Sequence, residues 1–382
     1  MAGLYDDQPP APKPEAAGKR KILIMELWGL GDLTFATPFI KAALERDEVH
    51  LVGKNHSKKL LEASYPGVRF ITYEAPWTAY RGKYRLWKWN WPELFGLIIR
   101  LRRESYDIAV SVRDDPRDQL IMWLAGAKQR VGFVFEGSKR FFDLGRLCLT
   151  NRLKRPLGKQ HKVEDWWQIS RRIGLSAASG KSPRLLHESY QTSETNHIFQ
   201  KISRPVICLH TGARVDVRRW PEQYFANIIA ALRRHFHFHL VVIPEPRTPP
   251  SILNEMADTF IPDLSVPELV DVLGRVDLLL CNDSGPGHIA AACGCPVISI
   301  FGPSDPDWFR PWGDNHKVVI RDICPWRPCF DYCEFAEPYC MTKLLPEAVW
   351  PEIERHVRSL IASGNLPDAF LQETASRATA EL

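Results

Sequence analysis

The 382-residue sequence lacks any long uninterrupted apolar run. Its longest uncharged stretch, Ser284 to Ser304, is broken by Gly285, Pro286, Gly287, His288, Gly294 and Pro296, which does not suit a membrane span. No apolar signal core follows the first methionine, because residues 1–19 are Pro-rich and polar. These absences predict a cytoplasmic protein, with peripheral contact to the inner membrane face left open. Nine cysteines, an odd number, then read as thiols rather than as a disulfide framework. A dominant charge is missing too: the net charge of +5 and pI of about 8.7 are too mild to imply nucleic acid. No Asp-x-Asp pair is read as a ligand set for a divalent metal, and no cofactor is expected.

What is present is a normal globular balance, 45% hydrophobic and 25% charged, over enough chain for two ordinary domains. Order begins near Lys21. The run KILIME (21–26) reads as a buried strand, WGLGD (28–32) as a turn, and Leu33, Ala36, Thr37, Ile40 and Leu44 fall at helical spacing. A strand, a Gly turn and a helix open a doubly wound α/β domain. Further strands are predicted at 50–53 and 107–112, and an amphipathic helix at 161–175. Residues 176–204, rich in Ser and Lys, read as the interdomain linker. The second half repeats the pattern, with strands predicted at 205–210, 239–244, 277–282 and 296–301. Pro221 reads as the first position of a helix, and Ser265 with Glu268 as a capping box opening a helix that stops at Gly274. The predicted layout is a disordered tail (1–19), an N-terminal Rossmann-like domain (20–180) and a C-terminal Rossmann-like domain (204–345). A helix (346–363) and a loose tail (364–382) complete it.

Three segments carry chemistry. In LLLCNDSGPGHIAAACGCPVISIFGPSDP (278–306) a strand ends at Asn282, and Asp283, Ser284, Gly285, Pro286 and Gly287 turn into a helix of small residues. A helix N-terminus with a close-approach backbone suits a diphosphate, and Ser284 and His288 can each donate to it. The alternative is a plain strand–turn–helix joint with a capping Asp283 and a core-facing His288. In HTGARVDVRRWPEQYF (210–225) a strand ends at His210, and Thr211 and Gly212 turn towards Arg218 and Arg219. Guanidinium groups neutralise a diphosphate leaving group, with Arg218 expected to face the ligand. In ELWGLGDLTFATPF (26–39), Gly29 and Gly31 make a turn and Asp32 opens a helix, either as its cap or as a general base. The third glycine of the dinucleotide fingerprint is absent, since Thr34 stands there.

Together these segments resemble glycosyltransferase family 9, the lipopolysaccharide heptosyltransferases. The resemblance rests on Gly31-Asp32…Thr37-Pro38, Gly212-Ala213…Arg218-Arg219-Trp220-Pro221 and Asn282-Asp283-Ser284-Gly285…His288, followed by Phe301-Gly302-Pro303. GAKQRVGF (126–133) and HKVEDW (161–166) are lesser matches, and Arg218 replaces the family's usual Lys. The resemblance implies a GT-B fold, two Rossmann-like domains facing across a central cleft. It implies inverting transfer of a heptose from a nucleotide-diphospho-sugar, ADP-heptose in the best-known members, to a phosphorylated glycolipid of the lipopolysaccharide core. Asp32 matches the proposed base. Thr211, Gly212, Arg218, Asp283, Ser284, Gly285, Gly287 and His288 would hold the donor, with Glu245 at its ribose. Gly31, Arg113 and Lys88 are assigned to the acceptor. Two other readings stay open: a sugar-nucleotide epimerase or hydrolase of the same shape, and a catalytically silent sugar-nucleotide or glycolipid binder.

Two features remain outside that scheme. Residues 81–103 carry Arg81, Lys83, Arg85, Lys88, Arg100, Arg102 and Arg103 against Glu93, with Trp87, Trp89 and Trp91 interleaved. This segment reads either as a surface for anionic membrane or acidic acceptor, or as a helix with one solvated basic face. Cys324, Cys329, Cys333 and Cys340 form C-x4-C-x3-C-x6-C, which matches neither the paired C-x2-C zinc pattern nor the ferredoxin run. Free thiols are the expectation there. Cys148, Cys208, Cys281, Cys293 and Cys295, with Trp166, Trp167 and Phe225, are expected in the core. His235, His237 and His239 are expected not to converge.

Overall fold

A computed structural model describes residues 18–79, 85–134, 145–154, 160–175, 180–245 and 251–371. The chain divides into two compact units, Met1–Pro183 and Arg184–Leu382. Each carries a six-stranded sheet among its described residues.

In the first unit the strands are β1 (Lys21–Met25), β2 (Glu48–Gly53), β3 (Val68–Thr72), β4 (Ile108–Ser111), β5 (Gln129–Phe133) and β6 (Asn151–Leu153). They pair in parallel in the order β3-β2-β1-β4-β5-β6. In the second unit β7 (Val206–His210), β8 (His239–Ile243), β9 (Thr259–Phe260), β10 (Leu278–Asn282), β11 (Val297–Ile300) and β12 (Lys317–Val319) pair in parallel in the order β12-β11-β10-β7-β8-β9. Both are the Rossmann order, with the order of strand addition reversing between β1 and β4 and between β7 and β10. In such a sheet the crevice for a ligand opens at the carboxyl ends of the two strands at the reversal. Parallel strands must be covered on both faces, which is why β1, β4, β7 and β10 read as nearly continuous apolar runs.

Helices supply that cover. In the first unit they are α1 (Leu30–Leu44), α2 (Asn55–Leu61), α3 (Trp91–Arg103), α4 (Pro116–Leu124) and α5 (Lys162–Arg172). Phe39 of α1 packs on Trp166 of α5, with ring centroids 5.1 Å apart. Trp166, Trp167 and Phe225 are buried as expected. The second unit holds α6 (Ser193–Gln200), α7 (Glu222–His235), α8 (Ile252–Met256), α9 (Val266–Arg275) and α10 (Gly285–Ala292). Ser265 caps α9 and Glu268 returns the bond, so the capping box forms as expected, and the helix ends at Arg275. Pro221 is the N-cap of α7 rather than its first helical residue.

Three expectations change on folding. The stretch 176–204 contains α6, and its Leu185 N–H bonds the Ala292 carbonyl at 2.9 Å, so part of it belongs to the second unit. The Ser- and Lys-rich composition hid that helix because α6 buries little apolar surface of its own. Gly364 to Leu371 is no loose tail. Leu366 and Phe370 are buried in the second core, and the Phe370 carbonyl accepts from His237 N at 2.9 Å. The tail beyond, 372–382, and the first seventeen residues lie outside the described residues. The helix at 346–363 is seen as Pro346–Ala362, with Val349, Ile353 and Val357 in that same core.

Candidate functional site

The first unit gathers its chemistry where β1 and β4 end. α1 begins at Leu30, so Gly31 and Asp32 lie in its first turn rather than before it. Asp32 is the third helical residue, and its Oδ2 accepts from the Gly29 N–H at 3.3 Å. It is therefore a helix cap. A carboxylate in the first turn of a helix is favoured by the exposed N–H dipoles there. The motif Thr37-Pro38 has a local reason. Pro38 has no N–H for the Thr34 carbonyl, and the Thr37 hydroxyl donates to that carbonyl instead, at 2.7 Å.

One residue passed over in the sequence lies near Asp32. Glu26, the residue after β1, is fully buried; its Oε1 accepts from Trp28 N at 3.0 Å, and Oε2 has no hydrogen-bond partner among the described residues. Burial pushes its carboxyl up to about 8, and the charge of Asp32 adds to this against the Trp28 amide and Arg113. Arg113, at the end of β4, is buried and pairs with Asp118 at 2.9 Å and Asp115 at 3.3 Å. Its guanidinium lies 5.0 Å from the Trp28 ring, and the buried Lys162 ammonium lies 5.8 Å from the same ring. A fully buried carboxyl in the polar position after an apolar strand was the signal available. Of the residues assigned to the acceptor, Gly31 adjoins Asp32 in α1 and Arg113 acts with Asp32 on the buried Glu26, whereas Lys88 lies on an exposed turn preceding α3.

In the second unit the turns after β7 and β10 are tied together. Asn282 Nδ2 donates to the Thr211 carbonyl at 2.7 Å, and Asn282 Oδ1 accepts from Trp220 N at 3.0 Å. One buried amide thus fixes the Thr211-Gly212 turn and the Arg-Arg-Trp-Pro turn at once. Gly212 is required by space: a Cβ there would lie 2.0 Å from Glu245 Oε2 and 2.7 Å from His210 Nε2. His210 is buried, its Nδ1 set against the Ile243 carbonyl at 3.0 Å, and burial lowers it to about 4, so its ring is neutral near pH 7. Burial also raises Glu245, with Arg219 opposing. Arg219 itself donates to the Ala213 carbonyl at 3.2 Å.

Arg218 lies between two carboxylates, Asp283 at 3.1 Å and Asp331 at 2.8 Å. Burial pushes Asp283 up, while Arg218 and a hydrogen bond from Ser304 pull it down. Asp283 therefore faces a cation and a hydroxyl. Ser284 is the N-cap of α10, and its hydroxyl donates to the Asn282 carbonyl at 3.2 Å. The helix start offers fewer donors than expected, since Pro286 has none and Gly287 N donates to the Ser284 carbonyl at 3.1 Å. The Gly285 amide and the half-buried Ser284 remain at its mouth, with His288 one turn in. Gly287 permits close packing, because a Cβ would stand 3.1 Å from Cys281 Sγ.

One Asp-x-Asp triplet does occur, Asp305-Pro306-Asp307. Asp305 is buried and caps the helix that follows, its Oδ1 accepting from Asp307 N at 3.1 Å. The donor atoms of Glu48, His50 and Glu104 converge within 4.8 Å. They lie at the amino edge of the first sheet, where Lys21 and Arg69 pair with Glu104. Cys324 and Cys340 are buried, and all nine cysteines carry free thiols. His235 is 3.8 Å from Glu354 while His239 bonds Thr259, so these rings diverge.

The sequence model of glycosyltransferase family 9 (heptosyltransferase) matches residues 94–340. The chain belongs to glycosyltransferase family 9. Among curated relatives, the lipopolysaccharide core heptosyltransferase OpsX of Haemophilus influenzae is 22% identical over 313 residues, covering 78% of this chain and 84% of its own. The lipooligosaccharide heptosyltransferase 2 of the same organism is 25% identical over 232 residues, 57% of this chain and 66% of its own. Among solved structures, Escherichia coli heptosyltransferase WaaC with ADP matches with a TM-score of 0.64 at 18% identity, over 88% of this chain and 99% of that one. The dodecameric iron-containing glycosyltransferase TibC of enterotoxigenic E. coli matches at 0.54 and 17%, over 90% and 77%. The fold of this family 9 member is thus α/β of the GT-B class. No helix among the described residues is long and apolar enough to cross a membrane.

Proposed function

We propose that this family 9 protein is an inverting, metal-independent heptosyltransferase that uses a nucleotide-diphospho-heptose, ADP-heptose above others, and a phosphorylated glycolipid of the lipopolysaccharide core. The observation that carries the donor half is the Asn282 amide, which locks the turns after β7 and β10 into one cradle. Arg218 supplies the cationic charge at that cradle, and the Gly285 amide and His288 supply donors at the N-terminus of α10, joined by the Ser284 hydroxyl once it turns from the Asn282 carbonyl to the phosphate. Thr211 and Gly212 give the close backbone approach, and Glu245 lies beside Gly212 for the ribose. Asp283 acts on Arg218 and not on phosphate, since two anions would repel; it fixes the guanidinium through a bond at 3.1 Å.

Asp32 is the general base. It takes the proton of the acceptor hydroxyl as that oxygen attacks the anomeric carbon, and the nucleoside diphosphate leaves with the bonding pair. The buried cations Arg113 and Lys162 attract the acceptor's phosphate, and Gly31 leaves room beside the base. Peripheral contact with the inner membrane face belongs to the same reading, because the acceptor is membrane-borne.

The test is turnover of ADP-heptose with a heptose-deficient lipid core. Asp32→Asn should reduce kcat by at least about a hundredfold while leaving ADP affinity, measured by calorimetry, within about threefold. A chelator should leave wild-type turnover unchanged. Normal turnover by Asp32→Asn would remove the base; donor consumption without acceptor would favour an epimerase or hydrolase; donor binding with no transfer would favour a silent binder.

A further inference from the structure

Helix α3 buries one side and leaves an apolar row on the other. Leu94, Leu97 and Leu101 are in the core of the first unit. Leu86 is 51% exposed, Trp87 78%, Trp91 39%, Phe95 57% and Ile99 53%. Within α3, Trp91, Phe95 and Ile99 follow one another at steps of four residues, the spacing that aligns side chains along a helix face, and Trp87 stands on the turn just before the helix. A helix of a water-soluble surface would place polar groups there. The row is rigidly mounted. Trp77, itself buried, packs on Trp89 at 5.3 Å, Trp89 on Trp91 at 5.4 Å, and Trp91 on Phe95 at 6.2 Å.

Charge flanks this row. Between residues 85 and 103 stand Arg85, Lys88, Arg100, Arg102 and Arg103, all exposed, against Glu93. An exposed aromatic row flanked by cations matches the chemistry of one partner in particular: an anionic lipid surface, with rings at the headgroup boundary and cations on the phosphates. A second copy of this chain would bring the same cations face to face.

We infer that the exposed face of α3, with the turn of Leu86 and Trp87, docks the first unit onto anionic bilayer. The inference deepens the proposed use of a membrane-borne acceptor and rests on that reading for its biological purpose; the lipid binding itself needs no transferase activity. Docking is reversible and interfacial, since α3 lies on the surface and does not span it.

The experiment is co-sedimentation of the full chain with vesicles of phosphatidylethanolamine and phosphatidylglycerol, and with vesicles of phosphatidylcholine alone. Wild type should pellet with the anionic vesicles, and high salt should weaken this. F95S/I99S, which removes apolar contact, and R100E/R103E, which reverses charge, should each lower the partition coefficient by at least about tenfold. Both variants alter exposed residues of the first unit, and an unchanged circular dichroism spectrum and urea midpoint would show that they fold. Wild type remaining in the supernatant would overturn the inference. So would variants that pellet like wild type, or a concentration-dependent dimer in sedimentation velocity that F95S/I99S abolishes. Vesicle binding with no ADP binding would instead refute the donor reading and leave the docking surface standing.

Discussion

A Cβ placed on Gly212 would press on the Glu245 carboxylate and on the His210 ring. Glu245 can swing away, but His210 is held against the Ile243 carbonyl, so the turn itself must shift. Gly212→Ala should weaken ADP binding by about tenfold or more in calorimetry, with a stability loss on the order of 1–3 kcal/mol in urea titration. Glu26 offers a pH test. Its ordinary value is 4.5 and its folded value is about 8, raised first by burial and then by Asp32. Below pH 4.5 both folded and unfolded chains hold the proton and nothing is lost. Between pH 4.5 and 8 the unfolded chain releases it while the folded chain retains it, so this residue makes the protein less stable as pH rises. Asp118, raised to about 6, acts in the same direction. Glu26→Gln should flatten that decline, gaining on wild type between pH 5 and pH 8 in parallel urea titrations. An equal offset at both pH values would show that Glu26 titrates normally.

At the scale of elements, α1 is a helix with a proline at its centre and Asp32 in its first turn. Thr37→Ala would leave the buried Thr34 carbonyl without the hydroxyl that replaces the missing Pro38 amide. The expected cost is about 1–3 kcal/mol. Adding Pro38→Ala restores an N–H at that point and should recover much of the loss, a rescue that simple packing damage would not permit. The C-terminal segment can be examined likewise. Phe370 is fully buried in the second core, and Phe370→Ala should cost about 3–5 kcal/mol by chemical denaturation. A loose tail would show no change. The strands at the reversal points were legible because buried parallel strands are continuous apolar runs. β3, β6 and β9 were not, since they are short or edge-lying and their residues are partly exposed.

For the molecule as a whole, the two Rossmann units divide the proposed labour, with the diphosphate assigned to the second and proton removal to the first. ADP should therefore slow hydrogen exchange at the turns 210–219 and 282–288 while leaving α1 unchanged. At about a hundred times its Kd it should stabilise the folded state by about 2.7 kcal/mol. Protection spread evenly over both sheets would contradict that division. The α3 surface adds a lipid-facing function to the first unit that the turnover chemistry does not require.

The sequence by itself determined the class of fold, the strands on either side of each reversal and the three turns that bear the family's residues. Such features are local: apolar runs, glycines in turns and helix caps follow from neighbours along the chain. Only the tertiary structure decided that Asp283 grips Arg218, that Glu26 is buried beside Asp32, and that Asn282 joins two turns separated by seventy-one residues. It also decided which side of α3 is covered and which is bare. Burial and pairing depend on what long-range packing brings close, and a neutral, buried carboxyl has the same letter in the sequence as a charged one on the surface.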